Sequence, residues 1–318
     1  MSIHFRDFAE KAAADGVVTS EELLQLRGQG WSDGKIGPDE AEAIFMVNDR
    51  IGDTSAEWSD FFVEALGEFI VNRVEPKGYV SEQQAEWIMT RIDRDGHVES
   101  LTELELLARV FERATSVPQL LREYALEQVE HAVLTGEGPT RCGGALEKGN
   151  VTAAESRLMR RIIFASGSER PAAVSRKEAE LIYRIKDATL GADNAPEWKQ
   201  LFVQAVGNYL AGFVKHTAVS RERAAELEGF MNDRTSSIGG FFARMGKSVL
   251  RDDFFASISD AAGKAPDGPS LDGKVSEAQK VDLSEQTWLE GQIDGNGEVD
   301  AFDSALIAFL EEESGYSR

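Results

Sequence analysis

The stretch EWSDFFVEALGEF, Glu57–Phe69, decides how the chain is read. Trp58, Phe61, Phe62, Ala65, Leu66 and Phe69 recur every three to four residues, and Ile70 continues the series. That is the spacing of the buried face of an α-helix. The stretch EWKQLFVQAVGNY, Glu197–Tyr209, repeats it with Trp198, Leu201, Phe202, Ala205, Val206 and Tyr209, then Leu210 and Phe213. Stripes of this kind are core rather than ligand-binding surface. Gly67 and Gly207 fall at the same place in both. Glycine there costs about 1 kcal/mol against alanine, so close packing of a neighbouring element is expected.

Outward from these helices the likeness extends. IGPDEAEAIFMVND, from Ile36, matches VSRKEAELIYRIKD, from Val174, and WIMTRIDRDGHVES, from Trp87, matches WLEGQIDGNGEVDA, from Trp288. The matches keep their order, which predicts an internal duplication. The expected organisation is a first copy over 1–115, a connecting helix and Gly-rich linker over 116–144, and a second copy over 145–318. An amphipathic insertion sits at about 232–284. Helical periodicity dominates and sustained strand alternation is absent, so the expected class is all-α.

A smaller pattern recurs between the helices: a glycine or small residue, an aliphatic residue two later, then a hydroxyl or acid. DGVVTSEE, DGKIGPDE, KGYVSEQQ and DGHVESLT carry it in the first copy. KGNVTAAE, AAVSRKE, TAVSRER and NGEVDAFD carry it in the second. The hydroxyl residue can cap the following helix, and a Glu three residues on completes a capping box. Thr19 with Glu22, Thr152 with Glu155 and Ser175 with Glu178 fit that scheme.

The same pattern resembles the second half of an EF-hand loop, of the calmodulin or dockerin type. The aliphatic residue of an EF-hand loop pairs with a partner loop in a short β-bridge, and an acid closes the loop. The resemblance implies tandem helix-loop-helix units with bridges between Ile36 and Val80 and between Val174 and Val219. Outer bridges would join Val18 with Val98 and Val151 with Val299. AAADGVVTSEE is in turn similar to the turn before a Glu-rich helix in the all-helical tellurite-resistance B family.

Calcium takes about six to eight oxygens, mainly carboxylates at the first, third, fifth and last loop positions. The loops around Val18, Ile36, Val80 and Val151 lack them, with Lys77 and Lys148 at the fifth position of the last two. QIDGNGEVDAFD offers Asp294, Asn296, Asp300 and Asp303, though Gln292 stands first. RIDRDGHVESLT offers Asp93, Asp95 and Glu99, with Arg91 first and Thr102 last, so a guanidinium replacing the metal is expected there. Ca2+ is thus the candidate cofactor, bound weakly at the last loop. The other reading is an Asx-stabilised turn that starts the last helix.

Other chemistry is sparse. His4, His97, His131 and His216 lack metal-ligand spacing, and the one cysteine, Cys142, permits no intrachain disulfide. GGFFARMGKS lacks the first P-loop glycine and a preceding strand. No enzyme is expected. The net charge of −22 disfavours nucleic acid and anionic lipid. The N-terminus has no apolar signal-peptide run and no segment reaches transmembrane length, so a cytoplasmic location is expected. The expected function is an acidic binding or scaffold protein with a protein partner. Its contact would be a helix in a groove, and residues 238–258 are the one stretch suited to touching a membrane surface. The alternative is a metal-independent interaction or stress-response protein of the tellurite-resistance B type.

Overall fold

The computed structural model describes residues 2–30, 35–52, 55–73, 77–93, 98, 100–141, 149–165, 173–210, 283–295 and 299–314. Twelve α-helices and one 3-10 turn account for most of them. The first six are α1 Ser2–Ala12, α2 Ser20–Gly30, α3 Pro38–Arg50, α4 Ala56–Asn72, α5 Glu82–Ile92 and α6 Leu101–Arg113. Then come α7 Gln119–Thr135, the turn Pro139–Arg141, α8 Ala153–Ile163, α9 Arg176–Ala188, α10 Pro196–Leu210, α11 Leu283–Gly295 and α12 Ala301–Ser314. The protein is helical, with no sheet among the described residues. The insertion expected at 232–284 lies outside them except for its last two residues, which begin α11.

Local chemistry sets where the helices begin. Ser55 starts α4 by accepting the Trp58 backbone N–H. Ser81, Ser100, Thr152 and Ser175 start α5, α6, α8 and α9, each in a full capping box. Thr19 and Glu22 make the same reciprocal bonds at α2. These contacts satisfy N–H groups that the first turn leaves without partners. α7 stops at Gly136, whose φ of 75° is left-handed and suits glycine.

The apolar stripes meet in one continuous core. α4 packs on α6, α1 on α3, α10 on α8, α9 and α12, and α6 on α8. α7 packs against α5, α6, α8 and α9. Aromatic rings meet edge to face in two sets. Phe45 meets Phe62 at 5.4 Å and Trp87 at 5.6 Å between ring centres, and Phe69 meets Trp87 at 5.7 Å. Tyr183 meets Phe202 at 5.1 Å and Trp288 at 5.6 Å, and Tyr209 meets Trp288 at 4.9 Å. The offset geometry suits the ring quadrupoles. Gly207 lies under a ring: a Cβ there would stand 2.6 Å from Phe309 Cε1.

The loop pairing differs from the expectation. The isolated bridges among the described residues join Tyr79 with Ser116 and Asp93 with Val98. Ile36 does not pair with Val80, nor Val18 with Val98, nor Val151 with Val299; Val219 lies outside the described residues. The backbone groups find other partners. Val80 N–H donates to Ser116 O, and Val151 N–H donates to the Asn194 side chain. Val174 N–H donates to the side chain of Asn208. A donor satisfied by a nearby helix end or amide no longer needs a partner loop.

Candidate functional site: capping carboxylates and their internal cations

α12 begins at Ala301, directly after Asp300. Asp300 Oδ1 accepts the backbone N–H of Phe302 at 2.6 Å and of Asp303 at 3.0 Å. The Asp300 N–H donates back to Asp303 Oδ2 at 3.3 Å. The ninth and twelfth residues of QIDGNGEVDAFD thus form a reciprocal cap, with Asp303 at the third helical position.

The outward oxygens of this cap receive an ammonium. Lys186, on α9, is fully buried at 0% exposure. Its Nζ lies 2.7 Å from Asp300 Oδ2 and 3.1 Å from Asp303 Oδ1. Asp187 Oδ1 is 2.9 Å away. The ring centres of Tyr183 and Phe202 stand 5.0 and 5.9 Å from the nitrogen, within cation–π range. Burial works against the charge of Lys186, but Asp300, Asp187 and Asp303 outweigh it and hold its pKa above the ordinary value. Burial pushes Asp300 up, and the Lys186 hydrogen bond with two backbone N–H groups brings it below the ordinary value. Asp303 is raised: burial and the neighbouring Asp300 exceed the pull of Lys186. Burial first, and these carboxylates second, push the Tyr183 phenol up.

Three other third-position carboxylates are buried and held in the same manner. Glu103, in the box with Ser100, accepts Asn48 Nδ2 at 3.2 Å, and Asn48 Oδ1 accepts Trp58 Nε1 at 3.1 Å. Glu155, in the box with Thr152, receives Arg141 Nε at 2.7 Å and Nη2 at 2.9 Å. Glu178, in the box with Ser175, lies 3.1 Å from Arg122 Nε. In each case one carboxylate starts its own helix and also holds a group from another segment, by hydrogen bonds at Glu103 and Glu155 and by an ion pair at Glu178. A buried carboxylate is tolerated only with such partners.

The expected metal ligands are distributed as follows. Asp300 and Asp303 come together, around Lys186. Asp294 is exposed in the last turn of α11. Asp93 closes its own loop by bridging to Val98 and lies beside Tyr124, whose phenol is raised by burial and by Asp93. Asn296, Asp95 and Glu99 lie outside the described residues, as do Cys142, His97 and residues 238–258. Arg91 Nε donates to Glu42 Oε1 of α3 at 3.2 Å. Among the described residues, no group of three or more His, Cys, Asp or Glu side chains is arranged to hold a metal ion.

Lys186 and Asn48 do not stand out in the sequence as site residues. A signal for Lys186 is present. It falls three and four residues after Tyr183 and Ile182, on the buried stripe of α9. A lysine in that register needs a counter-charge, but the sequence does not say that α12 supplies it.

A cleft of about 560 Å3 beside α3 is lined by Arg6, Asp39, Glu42, Met46, Asp49 and Arg91, and its charges are of both signs. No helix among the described residues is long and apolar enough to cross a membrane. Compared with family models, with curated proteins and with solved structures, the chain matches none.

Proposed function

We propose that the chain is a non-enzymatic, metal-independent helical binding or scaffold protein, in type like the tellurite-resistance B proteins, built from two copies of one unit. The observation that carries this reading is the Lys186 ammonium against Asp300 and Asp303. The residues that would close a calcium loop already have a permanent cation and a capping role. Among the described residues, Ile36 and Val80, Val18 and Val98, and Val151 and Val299 form no bridge, which weighs in the same direction, away from an EF-hand pair.

The duplication is supported by contacts of the same kind in each half. Phe45, Phe62, Phe69 and Trp87 correspond to Tyr183, Phe202, Tyr209 and Trp288, and each set makes the same three ring contacts. Asn48 corresponds to Lys186, and each meets the third-position carboxylate of the last helix, Glu103 or Asp303. In this register Ser100 corresponds to Asp300, although Val98 corresponds to Val299, so the second loop is one residue shorter. Lysine has no acceptor, and Trp198 Nε1, the counterpart of Trp58 Nε1, has no hydrogen-bond partner among the described residues.

The second reading is weak calcium binding at the last loop, since Asp187, Asp300 and Asp303 already converge on one cation. Calorimetry separates the two. The metal-independent reading expects no binding heat up to millimolar calcium. Saturable heat that disappears in Asp300→Ala with Asp303→Ala would establish the calcium reading instead.

A further inference from the structure

Arg160, on α8, is a half-buried guanidinium with no carboxylate beside it among the described residues. Its hydrogen bond runs from Nη2 to Oε1 of Gln204, a neutral amide on α10. Burial lowers its pKa from the ordinary value, and no acid raises it back. Its neighbour Arg161 is the opposite case, with Glu112 Oε1 at 2.6 Å and Glu105 Oε2 at 2.5 Å. Two further donors beside Arg160 are unused. Gln204 is fully buried, and its Nε2 has no hydrogen-bond partner among the described residues. Ser156, buried one helical turn before Arg160 and hence on the same face of α8, has no partner for its hydroxyl among the described residues.

The first half shows what is missing. With Val18 set against Val151 and Glu57 against Glu197, the corresponding residues are Arg27 on α2 and Glu64 on α4. Arg27 Nη2 lies 3.6 Å from Glu64 Oε2. The second half keeps the arginine and replaces the carboxylate with an amide. A guanidinium, an amide N–H and a hydroxyl at one helix interface match the acceptor oxygens of a carboxylate or phosphate group. Arg160 is half buried and meets solvent, whereas Gln204 and Ser156 are fully buried, so an ion enters beside the guanidinium.

We propose that Arg160, Gln204 and Ser156 form a site for an oxyanion, a carboxylate or a phosphate group. The site uses none of the residues of the Lys186 centre, so its test is separate from that of the calcium question.

The experiment is a thermal melt of the full chain in sodium phosphate, in sodium acetate and in sodium chloride at matched ionic strength. The wild type should show a saturable rise in midpoint over chloride of about 2 °C. Phosphate and acetate separate the two classes of group, and a response to either supports the site. Gln204→Glu places the carboxylate inside the molecule and should melt no lower than wild type in chloride while losing the response. Arg160→Gln should lose it as well. No response in the wild type beyond chloride overturns the site, and so does an equal response in wild type and both variants. Should one variant fail to fold, the other carries the comparison, and the wild-type rise counts for the site only if it saturates, since phosphate stabilises folded proteins generally without saturating.

Discussion

Lys186 and Asn48 correspond in the proposed duplication, and their different chemistry predicts different failures. Lys186→Met would leave Asp300 and Asp303 with no ammonium, and breaking a buried pair from one side costs about 3–5 kcal/mol. Lys186→Asn should cost less, because the amide gives Asp303 a donor and Trp198 an acceptor. Urea unfolding of the two variants at neutral pH checks this order; equal losses would mean that charge alone matters there. The pH dependence follows from the shifts. Lys186 is raised, so its contribution is complete below the unfolded lysine value and is lost as pH climbs through the folded one. Asp300 is lowered, so its contribution is present above the unfolded carboxylate value and is lost as pH falls through the folded one. Asp303 is raised and acts in the opposite sense, favouring the folded state as it takes up a proton. The gap between wild type and Lys186→Met should therefore be widest at neutral pH and narrow in acid. A gap that stays constant down through the carboxylate range would contradict the ion-pair account.

At the scale of the helix, the local signals carry a long way and then stop. The stripe in Glu57–Phe69 places α4, and capping boxes readable as Thr19–Glu22, Thr152–Glu155 and Ser175–Glu178 start α2, α8 and α9 as expected. The expected bridges are a different matter. Which backbone group Val80 or Val174 meets depends on segments far along the chain, and sequence spacing does not rank those partners. The candidate site divides along the same line. Asp300 and Asp303 are visible as acids at a helix start; the partner Lys186 comes from another helix. The mid-helix glycines give a test at this scale. A Cβ at Gly67 would stand 3.4 Å from Arg109 Cγ, an ordinary contact, whereas at Gly207 it would overlap the Phe309 ring. Gly67→Ala should be neutral or stabilising by up to about 1 kcal/mol through helix propensity. Gly207→Ala should destabilise by about 1–3 kcal/mol through overpacking. Melting both variants checks the contrast, and a stabilised Gly207→Ala would show that Phe309 yields without cost.

Over the whole molecule, the proposed duplication raises the question of whether its two halves unfold separately. Sequence similarity suggests two units, but the packing joins them. α6 packs on α8, α7 packs on α5, α6, α8 and α9, and the buried residues form one continuous cluster. Charged contacts run alongside: Arg161 of α8 meets Glu105 and Glu112 of α6, and Arg184 of α9 meets Glu130 of α7 at 2.7 Å. Removing either half would expose apolar surface on α6 and α7, at roughly 25 cal/mol per Å2. The two halves should therefore unfold together. Trp58 is buried in the first half and Trp198 in the second, so Trp→Phe variants can leave each half with its own fluorescent reporter. Urea midpoints from the two reporters should coincide with each other and with the loss of helical circular dichroism. If the reporters give midpoints separated by more than the fitting error, the α6–α8 and α7 contacts do not couple the halves. Each copy would then be an independent folding unit joined by α7.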